Sequence, residues 1–270
     1  MKKKVKSVIR SVLPQRFIDQ KYRTRCSSSQ KIKQLKNKFK GERCFILGNG
    51  PSLNKCDLSL LEGEYTFGVN GIYYKHQSEG FKPTFYVVED RHVMSDNLVE
   101  INDFDCEYKF FPVDYKHLLS NHKNCLFFNM DTGFYQKPSS YYSIPRFSME
   151  ADRVLYCGQS VTMINLQLAA YLGFDEVYLI GMDFSYDIPK SAVIEDTTIT
   201  STEDDPNHFH PDYFGAGKKW HDPQLDKVLL SYKMMDLIYK AQGKSIINAT
   251  VGGKLELFER VDYYSIFQGD

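Results

Sequence analysis

From Gly41 onward, short apolar runs alternate with segments of helical periodicity. The runs Arg43–Leu47, Tyr65–Val69, Thr84–Val88, Tyr108–Phe111, Cys125–Phe128, Glu176–Ile180 and Ser245–Ile247 read as strands, and their alternation with helices predicts an α/β fold with a largely parallel sheet. Two helices carry signals at both ends. In Ser160 to Leu172, Val161, Ile164, Leu168 and Leu172 share one face and Gly173 stops the helix; Pro223 to Gln242 takes Asp222 as N-cap, Pro223 as its first helical residue and Gly243 as its end. Ile188–Asp205 has little apolar content and closes on Glu203-Asp204-Asp205-Pro206, which predicts an exposed loop or lid. There is no internal repeat.

A chain of 270 residues, 42% hydrophobic and 14% aromatic, has ample material for a globular core. No apolar run approaches the roughly 20 residues that span a bilayer, and the N-terminus lacks an uninterrupted signal-peptide core, so a cytoplasmic location is expected. The six cysteines, Cys26, Cys44, Cys56, Cys106, Cys125 and Cys157, form no C-x-x-C pair and read as reduced, mostly buried thiols. The formal net charge of zero conceals a strong asymmetry. Residues 1–43 carry 15 Lys and Arg against two acids, leaving 19 bases against 32 acids in the rest. Within this leader Val5, Ile9, Val12, Leu13 and Phe17 recur at roughly helical spacing among lysines and arginines, a pattern suited to an anionic membrane surface through residues 1–40. A solvated basic tail with a short packed helix fits the same pattern; nucleic acid is disfavoured, because no aromatic-interleaved platform accompanies the charge. Nothing in the chain encodes its oligomeric state, and a homo-oligomer is compatible with it.

The first chemical signal is Cys44-Phe45-Ile46-Leu47-Gly48-Asn49-Gly50-Pro51-Ser52-Leu53, an apolar strand running into a glycine turn that ends in a hydroxyl. Gly48 and Gly50 place no Cβ between main chain and ligand, so their amides can face a phosphate or ribose, with Asn49 presenting its side-chain amide and Ser52 its hydroxyl. The spacing is neither G-x-G-x-x-G nor a P-loop, and an ordinary strand-to-helix turn is the alternative. A second signal is Gly173-Phe174-Asp175-Glu176-Val177-Tyr178-Leu179-Ile180-Gly181-Met182-Asp183-Phe184, a strand ending in glycine and a carboxylate. Ligands of open α/β sheets bind beyond such ends, where Asp183 can accept from a ribose or an amine, or cap the next segment. Ser160 opens a helix N-terminus suited to an anion or simply caps it. In the third cluster, His208 and His210 can share a face of an extended segment, but no third metal ligand at a diagnostic spacing follows. His221, at an element edge, can take a proton from a hydroxyl near neutral pH. Glu89 and Asp90 leave a strand together and can hold a divalent cation or remain solvated.

These blocks resemble the bacterial lipooligosaccharide sialyltransferases, which transfer sialic acid from CMP-sialic acid, and a broader bacterial family related to the archaeal 6-hydroxymethylpterin diphosphokinases. Ile46 to Leu53 is similar to the sialyltransferases' first strand and nucleotide turn, Gly68-Val69-Asn70 falls at their second asparagine, Gly173 to Phe184 resembles their strand ending Gly-x-Asp-Phe, and His208 to Lys240 resembles their lid and long helix. The resemblance spans about residues 43–248. It implies a Rossmann-like glycosyltransferase domain over residues 43–270, with a lid around 185–222 and a basic N-terminal extension over 1–42. It also implies inverting transfer from a CMP-sugar to a hydroxyl of a glycan or lipid-linked glycan, with no cofactor and no metal. Asn49, Asn70, Ser160, Gly181 and Asp183 would hold CMP, His221 would be the general base, and Tyr186 and Tyr213 would supply hydrogen bonds to the departing phosphate. The family's tyrosine directly after Asp-Phe is Ser185 here, followed by Tyr186, and its arginine before the helix is replaced by Gly158-Gln159. Two other readings compete: a metal-dependent enzyme, either a diphosphokinase using Glu89 and Asp90 or Asp204 and Asp205, or a UDP- or GDP-sugar glycosyltransferase using Glu89 and Asp90, and a non-catalytic nucleotide-sensing assembly protein at the inner membrane.

Overall fold

The computed structural model describes residues 29–195 and 198–268; most of the leader read as membrane-seeking, residues 1–28, lies outside them. Helix α1 (Ser29–Gln34) precedes β1 (Arg43–Leu47), β2 (Tyr65–Val69), α2 (Tyr73–Glu79), β3 (Phe85–Val87), α3 (Arg91–Asp96), α4 (Leu98–Asp103), β4 (Tyr108–Pro112) and β5 (Cys125–Phe128). The short strands β6 (Met130–Asp131) and β7 (Leu155–Tyr156) lead to α5 (Val161–Leu172) and β8 (Glu176–Ile180). Then come β9 (Val193–Glu195), β10 (Thr198–Thr200), β11 (Lys219–His221), α6 (Leu225–Ala241), β12 (Ser245–Asn248) and β13 (Glu259–Arg260).

Eight strands make one sheet in the order β13-β12-β8-β1-β2-β3-β4-β5, with every neighbouring pair parallel. This is the α/β, Rossmann-like architecture expected. The order reverses at β1: β2 to β5 extend to one side, and β8, β12 and β13 to the other. The carboxyl ends of β1 and β8 therefore flank the switch point where open α/β sheets bind ligands.

Both sheet faces are dry, as a parallel sheet requires. Cys44 and Ile46 of β1 face a core shared with Ile32, Met163, Leu168 and Tyr239. Phe45 and Leu47 face a second core with Tyr73, Met94, Ile101 and Tyr263. Each such side chain contributes roughly 1.5–3 kcal/mol on burial, which fixes the strand ends that carry the site. Part of the expected N-terminal extension belongs to this core: Ile32, Leu35 and Phe39 are buried, and Phe39 stacks on Phe174 at 5.1 Å.

Ser160 caps α5 by accepting the Thr162 N–H, and Gly173 ends it at φ 106°. The apolar face expected of this helix is instead burial on all sides from Thr162 to Leu172. Gln167 survives there because its amide is consumed: Oε1 accepts the N–H groups of Ser148 and Tyr156, and Nε2 donates to the carbonyls of Tyr156 and Met163.

Two boundaries differ from expectation. Helix α6 starts at Leu225, because Asp222 spends its carboxylate on the Gln224 N–H and Gln224 takes a left-handed φ of 43°, so Asp222 closes a turn and Pro223 precedes the helix. Ile188–Asp205 is not wholly loop. Strand β10 pairs with β9 on one side and β11 on the other in a three-stranded antiparallel sheet in which Ile199 lies opposite Trp220 and Thr198 opposite His221. Burial of Ile199 and Trp220 on one side stabilises this small sheet, which frames the lid.

Candidate functional site

The turns after β1 and β8 are pressed together, backbone against backbone. Gly48 N–H donates to the Ile180 carbonyl at 2.7 Å and Gly50 N–H to the Gly181 carbonyl at 3.0 Å. A Cβ on Gly48 would lie 2.4 Å from the Gly181 carbonyl oxygen, and one on Gly50 would lie 1.9 Å from Asp183 Oδ2. The glycines therefore serve close approach of the two turns, and the expectation that the Gly48 and Gly50 amides face a ligand is corrected: both are spent within the protein. Asp183 is likewise partly committed, its Oδ2 accepting from Ser52 Oγ at 2.7 Å and Ser52 N–H at 3.2 Å. Ser52 thus braces the turn and does not line the cleft, and Ser160 is occupied as a helix cap.

Beside this seam opens a cleft with about 1110 Å³ of atom-free space, lined by Gly48, Asn49, Gly50, Asn70, Glu89, Asp90, Ser160, Gly181, Asp183, Tyr186, His208, Tyr213 and His221 among others. Asn49 joins it to the lid. Its Nδ2 donates to the Val69 carbonyl at 3.0 Å and to Tyr213 Oη at 2.8 Å, while its carbonyl accepts the Phe209 N–H at 2.9 Å. Its Oδ1 is buried with no partner, and so is Oδ1 of Asn70, which sits at the end of β2 with φ 49°. Two orphaned amide oxygens on adjoining strand ends carry a desolvation cost of about 1–3 kcal/mol each unless a ligand donates to them. The left-handed backbone of Asn70, Gln159 and Phe184, all at this cleft, adds strain of the kind that functional sites retain.

Tyr213 is 4% exposed, its hydroxyl pushed up from the ordinary range by burial against the hydrogen bonds from Asn70 and Asn49. Its ring lies flat on His208 at 4.0 Å. Tyr186 stands across the lid against Trp220, its hydroxyl 3.4 Å from His208 Nε2.

Farther along the cleft, β11 presents His221, whose Nε2 is 3.8 Å from Asp90 Oδ2 and whose ring is 4.6 Å from His92. Burial first, then the neighbouring His221, hold His92 below its usual range. Asp90 caps α3 through Oδ1, accepting from the N–H groups of His92 and Val93, which leaves Oδ2 turned toward His221. Glu89, 8% exposed, is raised to about 8 by burial and then by the Asp90 charge, so at neutral pH it holds its proton and can donate a hydrogen bond. Among the described residues no three His, Cys, Asp or Glu side chains gather in a way that could hold a metal ion.

The structure thus brings to one cleft all the candidate site residues singled out from the sequence except Ser52, His210 and the alternative acidic pair Asp204 and Asp205. His210 is turned away, stacked on Tyr74 at 4.0 Å, so it does not pair with His208. What the sequence reading lacked was the Asp205–His208 pair and the placement of Asp90 beside His221, with Glu89 buried in the same cleft. The sequence signals were an i,i+3 Asp/His spacing after a proline-flanked turn and an acidic doublet at a strand's carboxyl end.

The profile of the 6-hydroxymethylpterin diphosphokinase MptE-like family matches residues 20–189. The solved structure of a MAf glycosyltransferase from Magnetospirillum magneticum AMB-1 aligns with 88% of the chain at a TM-score of 0.49 and 15% identity, and the chain spans 38% of that protein's length. No curated protein matches the chain. On the extent of the profile match, the chain belongs to the 6-hydroxymethylpterin diphosphokinase MptE-like family.

Proposed function

We propose that the protein is an inverting glycosyltransferase that moves a sialic-acid-like sugar from a CMP-sugar to a hydroxyl of a cell-surface glycan or lipid-linked glycan acceptor. The observation that carries the reading is the pair of buried, partnerless Oδ1 atoms of Asn49 and Asn70, which ask for N–H or O–H donors such as a ribose or a cytosine amine supplies. His221 lies in the same cleft with Asp90 beside it. In the transfer step His221 takes the proton of the acceptor hydroxyl as its oxygen attacks the anomeric carbon. The bond from that carbon to the phosphate oxygen breaks, its electron pair goes to the phosphate, and Tyr186 and Tyr213 donate to the charge that develops. Tyr213 Oη accepts from Asn49, which leaves its own O–H free to donate.

His221→Ala lowers transfer from CMP-sialic acid by about 100-fold or more while CMP affinity, read by calorimetry, is retained. Near-normal turnover removes His221 from the mechanism.

The second reading follows the family's name: diphosphoryl transfer assisted by a divalent cation. Glu89 and Asp90, both in the cleft, favour it. They fit such an ion only in part, because Asp90 Oδ1 is spent on α3 and Glu89 holds its proton to about 8; the remaining coordination sites would fall to substrate phosphates and water. Activity that survives excess EDTA rejects this reading, and strict Mg²⁺ or Mn²⁺ dependence rejects the first.

The basic leader supports work at the inner face of the cytoplasmic membrane, held peripherally on anionic lipid; no helix among the described residues is long and apolar enough to cross a membrane.

A further inference from the structure

One ionisable pair in the lid is taken up by none of the roles above. Asp205 and His208 are 3% and 7% exposed in their side chains, and His208 Nδ1 lies 2.6 Å from Asp205 Oδ2. Asp205 Oδ2 also accepts the Phe214 N–H at 2.9 Å, and Oδ1 accepts the Asn207 N–H at 2.8 Å. Burial alone would raise this carboxyl; the hydrogen bonds led by His208 outweigh it and hold it below the ordinary range. An ionised carboxylate only accepts, so the Nδ1 proton belongs to His208 and the tautomer is set. The imidazole is clamped flat on Tyr213, with the edge of Phe214 at 5.1 Å, and its remaining nitrogen, Nε2, meets Tyr186 Oη. Burying such a pair is weak evidence for stability in itself, whereas a fixed imidazole with one nitrogen aimed at a cleft hydroxyl has a chemical use.

We propose that Asp205 and His208 are positioning residues that turn Tyr186 into a directed proton donor for the departing phosphate, an inference that rests on the glycosyl-transfer reading above. With His208 neutral, Nε2 is an acceptor and captures the Tyr186 O–H. With His208 protonated, Nε2–H donates to Tyr186 Oη, and the tyrosine O–H is released toward the cleft. As the sugar–phosphate bond breaks and its electron pair moves to the phosphate oxygen, the Tyr186 proton passes to that oxygen and the Nε2 proton replaces it on Tyr186. His208 is left neutral and regains a proton from solvent, matching the one that His221 takes from the acceptor and returns to solvent. The ionisable groups facing the pair are Tyr213 from the lid and Tyr186 from the segment after β8, with Asp183 and Tyr232 beyond Tyr186.

The two histidines then set opposite limbs of the pH profile: His221 must be neutral, which gives a fall toward acid, and His208 must be protonated, which gives a fall toward alkali. The test measures kcat and donor KM for transfer from CMP-sialic acid across pH in the full chain, for wild type, His208→Gln and Tyr186→Phe. Tyr186 is partly exposed, so its variant keeps a readable outcome if the lid histidine variant fails to fold. The expected result is a loss in kcat of about 10- to 100-fold in both, KM within about twofold, disappearance of the alkaline limb alone, and no further loss in the double variant. Retention of the alkaline limb and of kcat in Tyr186→Phe overturns the proposal while leaving the transferase reading intact; a wild-type chain that turns over no CMP-sugar overturns both.

Discussion

Replacing Glu89 by glutamine keeps the shape of the side chain and deletes its ionisation. In the folded protein the carboxyl is raised from 4.5 to about 8 by burial and by Asp90, so across that window the folded state holds a proton that the unfolded chain has released. Stability changes with pH in proportion to the protons bound by the unfolded state minus those bound by the folded state; here that difference is about minus one, so stability falls as pH rises. The contribution is fully present below the unfolded value of 4.5 and is lost as pH climbs through about 8, at about 1.4 kcal/mol per pH unit. Between about pH 6 and pH 8 the wild type should lose about 2 kcal/mol relative to Glu89→Gln, with the two curves running level again above about pH 9. Because Glu89 is 8% exposed, solvent screening does little to reduce this figure. Urea denaturation of both proteins at a series of pH values reads the difference directly. Parallel stability curves would show that Glu89 is ionised in the fold and would remove it as a neutral hydrogen-bond donor in the cleft.

Gly50→Ala forces a Cβ to within 1.9 Å of Asp183 Oδ2, so the carboxylate must leave Ser52; a loss of about 1–3 kcal/mol in urea unfolding is expected, and an unchanged midpoint would contradict the close-approach account of the glycine turn. Asn165, fully buried in α5 with neither amide atom partnered, gives a neutral or stabilised protein on replacement by leucine, of up to about 2 kcal/mol; a loss of similar size would mean that its amide has a partner. Removing residues 1–28 should release the protein from anionic vesicles in a flotation assay and leave turnover intact. The cut stops there because Ile32, Leu35 and Phe39 belong to the core. Vesicle binding that is equal with and without the leader would return it to a solvated tail.

The sheet was legible because its strands are dense apolar runs closed by glycine, asparagine or charge. Arg43–Leu47, Tyr65–Val69, Cys125–Phe128 and Glu176–Ile180 end where their residues change character, and burial on both faces makes each a nearly continuous apolar run. Strands β9 to β11 were not legible. Each is three residues long, and their stability comes from pairings such as Ile199 with Trp220 that close only when the lid folds back. The start of α6 was missed for a local reason: Asp222-Pro223 reads equally as cap and first turn or as a turn before the helix, and the carboxylate's choice of the Gln224 N–H decides it.

The site was legible as a set of residues and not as a set of partnerships. Gly48 and Gly50 were read as points where a missing Cβ lets a ligand approach the main chain, whereas what approaches them is the Gly181–Asp183 turn, about 130 residues later in the chain. Glu89 read as one of a cation-holding or solvated pair, since an acidic doublet carries no sign of how deeply its first member is buried. His208 looked like a companion of His210 on an extended segment, and the lid's folding separates them, one ring onto Tyr213 and the other onto Tyr74.

The central claim is that the partnerless amide oxygens of Asn49 and Asn70 mark a cytidine nucleotide site that operates without a cation. Calorimetric titration of CMP into the full chain in excess EDTA, repeated with Asn49→Ala and Asn70→Ala, tests it most directly. The account predicts binding in EDTA that weakens about tenfold in each variant, the worth of about one hydrogen bond; absence of CMP binding without a divalent cation, or affinity unchanged in both variants, would contradict it.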